Sequence, residues 1–95
     1  MATTNPYPSV EQVKHDRDIR NQIEAITMAE RAGWAEVVKA ERASPRGPAR
    51  EVHNVQRVEW DRQKGELLAR LHCRDVSVYL DALHRYASHP DMQEA

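Results

Sequence analysis

Apolar residues recur along this chain at helical rather than strand spacing. Ile19, Ile23 and Ile26 fall four and three residues apart, which sets them on one face of a helix over residues 10 to about 32. Ser9 followed by Gln12 is a capping-box pair and predicts where that helix starts. Val10 and Val13 lie off the isoleucine stripe, so the first turns face something else. Lys14 with Asp18 and Asp16 with Arg20 are opposite charges four apart, expected on the wet face. Gly33 fits either a helix end or a position inside a longer helix, because one glycine costs only about 1 kcal/mol in a helix interior. Trp34, Val37 and Val38 carry the helical spacing on to about residue 43, and the sequence leaves both readings of Gly33 open.

Ser44-Pro45-Arg46-Gly47-Pro48 is the one clear breaker and predicts the hinge of an antiparallel helical arrangement. Beyond it a helix is expected over residues 49 to about 72, with Val52, Val55, Val58, Trp60, Leu67, Leu68 and Leu71 as its apolar positions. The stretch from Asp61 to Glu66 holds no apolar residue, so this helix should pack in two patches. Asp75 is a suitable N-cap for a last helix to about residue 87. Its core stripe is expected to be Val76, Leu80, Leu83 and Ala87, with Tyr79 and Tyr86 beside it. Residues 1–8, with Pro6 and Pro8, read as an extended arm, and residues 89–95 as a polar tail.

The expected fold is therefore all-α: three or four helices built around a long antiparallel helical hairpin, with an extended N-terminal arm. It forms one small domain, with an arm (1–8), a first helical arm (9–43), a hinge (44–48), a second helical arm (49–88) and a tail (89–95).

Composition adds that the core is thin. Leu, Ile and Val number 17 among 95 residues and Phe is absent. That share lies just under the roughly 20% line at which disorder becomes a concern. The net charge of −1 lacks the other half of the disorder signature. A folded chain with little core favours a partner or self-association. The same balance argues against a polybasic nucleic-acid or membrane binder. No run of 18 apolar residues spans a membrane, and residues 1–10 do not read as a secretory signal. One cysteine, Cys73, allows no internal disulfide and fits a reducing compartment. A cytoplasmic location is the expectation.

Candidate chemistry is sparse. His15, His53, His72, His84 and His89 lack the tight spacings of a zinc site. Cys73 beside His72 and Arg74 reads as a residue filling a joint rather than a nucleophile. There is no glycine-rich phosphate loop and no nucleophile elbow. The expectation is a non-enzyme without metal or cofactor. Two features point to partners. Residues 42–57 hold Arg42, Arg46, Arg50 and Arg57 against Glu51, a local charge of +3 at the hairpin tip. Such a tip suits phosphates or an acidic protein, although the overall charge speaks against duplex DNA at physiological salt. Tyr7, between two prolines, reads as an anchor into a partner's groove. Trp34, Trp60, Tyr79 and Tyr86 are expected in the core.

Ala32-Gly33-Trp34 with Val37-Val38, a charged gap, then Trp60-Asp61 and Lys64-Gly65-Glu66-Leu67-Leu68 with Leu71, resembles small helical proteins encoded among the head and connector genes of tailed bacteriophages. In that resemblance a Gly-Trp closes one helix and a glycine inside the next permits close packing. It implies no catalytic residues. A structural or adaptor role, in the host cytoplasm or the virion, is the leading expectation. A small regulatory protein that inhibits a host enzyme or nucleic-acid machine through the basic tip is the alternative.

Overall fold

The computed structural model describes residues 7–93; the first six residues of the expected arm lie outside it. Within that span the order is α1 (Val10–Ala43), α2 (Ala49–Ala69), α3 (Val76–Arg85) and a short 3-10 helix (Pro90–Met92), with no strand among the described residues. The all-α fold around a long helical hairpin is thus present. α1 passes through Gly33 without a break, which resolves the continuity that the sequence left open. Its start is the predicted capping box: the Ser9 N–H donates to Gln12 Oε1 at 3.0 Å, and the Gln12 N–H donates to Ser9 Oγ at 3.2 Å.

The described residues cluster into two compact units. One holds the residues up to Arg20 and those from Arg70 onward; the other holds residues 21–69. In the first unit Val13, Tyr79, Ala82 and Met92 form a buried cluster, with Val10, Cys73, Leu83 and Tyr86 packed against it. Asp16 is fully buried there, which corrects its expected place on the wet face. Its two carboxylate oxygens accept the backbone N–H groups of His72 at 2.9 Å and Cys73 at 2.7 Å. An uninterrupted helix would give those N–H groups to the carbonyls of Leu68 and Ala69. Their capture by Asp16 explains why α2 ends at Ala69 and not near residue 72.

Asp75 caps α3 as expected, accepting from the Ser77 and Val78 N–H groups. The buried face of α3 is shifted by one residue from the expected stripe. Tyr79 and Ala82 are buried, whereas Val76 and Leu80 are exposed. Two apolar stripes run down this helix about 100° apart, and the one with larger rings wins. Tyr79 supplies a broad apolar surface, and the Arg20 guanidinium lies 4.3 Å from its ring centroid. The Tyr86 hydroxyl donates to the Pro8 carbonyl at 2.9 Å. The segment expected to be a polar tail returns to the core: His89 Nδ1 accepts from the Asp91 N–H, the 3-10 turn follows, and Met92 is buried.

In the second unit the later part of α1 pairs with α2. Lys64 donates to Glu30 at 2.5 Å, and Arg50 grips Glu41 nearer the turn, so the partners approach one another in number as an antiparallel hairpin requires. Gly33 lies under the α2 rings. A Cβ there would stand 3.1 Å from Trp60 Cη2 and 3.2 Å from His53. Gly65 has open space around it. The roles that the phage resemblance implies are therefore reversed: Gly33 allows close packing within a continuous helix, and Gly65 does not. Val52, Val55 and Val58, expected as core, are 65%, 74% and 69% exposed. The inner face of α2 is built instead from His53, Trp60, Gln63 and Lys64, which are half-buried, and Leu67, which is buried. The valines run at intervals of three, so the row winds away from that face around the helix.

Candidate interaction site

The four arginines of the expected basic tip do not act as one group. Arg50 is committed within the hairpin: its Nε and Nη2 donate to the two Glu41 oxygens, each at 3.0 Å, and its guanidinium lies 5.3 Å from the Trp34 ring. This bidentate bond holds the Glu41 carboxyl below the usual carboxylate range. Glu41 stands one residue outside the stretch whose charge was counted, which is why the tip looked more basic in sequence than it is. Arg42 and Arg46 are exposed near the turn.

Arg57 has a different setting. It lines an open groove of about 520 Å³ with Thr27, Glu30, Arg31, Trp34 and His53. The rings make its wall: Trp34 and His53 have centroids 5.6 Å apart at 57°, and His53 meets Trp60 edge-on at 5.8 Å. Glu30 is the one acid of this wall, and its carboxylate is engaged by Lys64. Trp34, expected in the core, is 43% exposed here. Arg31 and His53 carried no binding signal in the sequence. Arg31 lies three residues before Trp34 and Arg57 four after His53, but only the pairing of α1 with α2 brings the two helices' residues into one groove.

Tyr7 is placed against its own chain. Its hydroxyl donates to Asp81 Oδ2 at 2.6 Å, its ring meets Tyr86 in a T-shape at 6.3 Å, and the Arg85 guanidinium lies 5.1 Å from its centroid. Desolvation against α3, followed by the Asp81 hydrogen bond, pushes its phenol up to about 12.

No family model, curated protein or solved structure matches this chain.

The remaining chemistry lies in the first unit. A cavity of about 450 Å³ has His72, Cys73 and Asp75 among its walls. Burial, then the charge of Asp16, pushes the Cys73 thiol up, so it is held as the protonated, weakly nucleophilic form. Arg20 donates to the Cys73 carbonyl at 3.1 Å and Arg17 to that of Met92 at 3.0 Å. These groups tie backbone together. Among the described residues no three His, Cys, Asp or Glu side chains are placed to hold a metal ion, and no helix is long and apolar enough to cross a membrane.

Proposed function

We propose that this protein is a non-enzymatic structural or adaptor component that works by protein–protein contact, of the kind encoded among tailed-phage head and connector genes. In that role it resides in the host cytoplasm or the virion. The observation that carries the reading is the apolar balance of the hairpin. Among its described residues Met28, Trp34, Val52, Val55, Val58 and Leu68 are all at least 43% exposed, while the buried aliphatic side chains are Val37 and Leu67. Val52, Val55 and Val58 repeat at intervals of three along one helix, and an exposed apolar row of this kind is a candidate contact surface. The non-catalytic part of the reading is supported by the buried carboxylate of Asp16 and by Cys73, which lines a cavity. The first is consumed by backbone N–H groups, and the second is held as a thiol.

The test is a photo-crosslinking amino acid introduced at Val55, with sedimentation of the unmodified chain. Crosslinks to one discrete protein, or to a second copy, support the proposal. A chain that sediments as a monomer at every concentration and crosslinks to nothing in its source cells or particles overturns it.

A further inference from the structure

We infer that the groove between Trp34 and Arg57 binds an acidic protein segment that carries an aromatic side chain beside its carboxylates. The inference rests on the reading of the chain as an interaction protein and names the surface and the partner's chemistry. Three observations carry it. First, the groove holds two guanidinium groups, Arg31 and Arg57, both exposed and, among the described residues, neither engaged in an ion pair as Arg50 is. Second, the only carboxylate in the wall, Glu30, is neutralised by Lys64, with both side chains three-quarters or more buried, so the groove keeps two uncompensated positive charges. Third, the same groove is lined by the rings of Trp34 and His53, with Trp34 partly open to solvent.

Planar guanidinium groups bind carboxylates in bidentate fashion, and an exposed tryptophan in a concave setting is the side chain most often found as an interface anchor. The groove is open to solvent, so an extended segment can lay one aromatic side chain against Trp34 and set its acidic neighbours near the two guanidinium groups. A nucleic-acid backbone fits less well. It needs a row of cations along its length, whereas the third nearby arginine is spent on Glu41, and the chain as a whole carries −1.

The experiment uses the full chain, labelled with ¹⁵N, and two probe peptides: acetyl-Glu-Glu-Tyr-Glu-Glu-amide and its counterpart with glutamine at all four acidic positions. The two indole N–H signals are assigned with Trp34→Phe. The acidic peptide should move the Trp34 indole signal and leave that of Trp60 much less affected. The glutamine peptide should bind at least tenfold more weakly. Arg31→Gln with Arg57→Gln should weaken the acidic peptide by at least about tenfold while leaving the glutamine peptide unchanged, and added salt should weaken it progressively. The inference is overturned if the two peptides bind alike, if the double variant keeps full affinity, or if a short DNA duplex displaces the acidic peptide at lower concentration than the peptide itself. Failure here with crosslinking at Val55 intact removes the groove and leaves the interaction reading standing. Failure of both removes the interaction reading as well.

Discussion

The unit around Asp16 and the hairpin of residues 21–69 are held by different means. The first packs a small apolar cluster and ties its backbone down with polar groups. A buried carboxylate takes two N–H groups, Arg17 and Arg20 reach backbone carbonyls, and Ser9, Asp75 and His89 cap three helices. The second is two long helices with ion pairs between them, tilted and edge-on rings over Gly33, and a row of valines in water. Polar locks specify one arrangement because a buried N–H that loses its acceptor carries the full desolvation penalty. A helix pair stabilised by a narrow inner face leaves its other faces available, which is what an interaction surface requires.

The largest break in this contrast should come from Asp16→Ala. It leaves two backbone N–H groups without their acceptor and should cost about 3 kcal/mol or more, read as a lower midpoint in urea or thermal unfolding. The loss should appear as disorder around residues 70–75 in amide exchange, with hairpin amides less affected.

Next, the two helix glycines should respond in opposite directions. Gly33→Leu drives a side chain into Trp60 and His53 and should cost about 2 kcal/mol. Gly65→Ala meets nothing and should stabilise by up to about 1 kcal/mol, since it removes the backbone entropy cost of glycine in a helix. Equal effects at the two positions would contradict the helix pairing described here.

Tyr7 gives a smaller, pH-dependent effect. Its folded value of about 12 lies above the ordinary 10.0, so the neutral phenol is the form that the fold favours. That contribution is complete below about pH 10 and is lost as pH rises through about 12. Phenolate absorbance should show a late-titrating tyrosine that Tyr7→Phe removes. A Tyr7 that titrates at the ordinary value would mean that its contact with Asp81 does not form.

The smallest effect on stability is expected where the proposed function lies. Val55→Lys and Val58→Lys should change unfolding free energy by no more than about 0.5 kcal/mol, because both side chains are already largely in water. Val58→Lys, combined with the photo-crosslinking residue at position 55, should abolish association through that face, seen as loss of the crosslinked product.

Local rules were legible in the sequence where the interaction is itself local. The Ser9–Gln12 box, the Asp75 cap and the Ser44–Pro48 breaker act within four residues, and all three stand where the residues placed them. Face assignments failed where two alternatives differ by a single turn position. The stripe of Val76 and Leu80 and that of Tyr79 and Ala82 are equally periodic, and only ring size and the reach of Arg20 decide between them. The valines of α2 misled for a related reason: spacing of three suits a helix but turns steadily away from its inner face.

The sequence by itself determined that the chain is helical, where its helices start, and that its core is thin, because these follow from capping chemistry, periodicity and composition. Tertiary structure decided the end of α2, the packing role of Gly33 and the groove of Arg31, Trp34, His53 and Arg57. Each of these joins residues roughly 20 to 60 positions apart. A carboxylate that looks like a surface charge beside Arg20 becomes a buried staple only when the chain returns to it at His72 and Cys73. Contacts at that separation leave no period in the sequence, since their geometry is set by the folded helices and not by the intervals between neighbours.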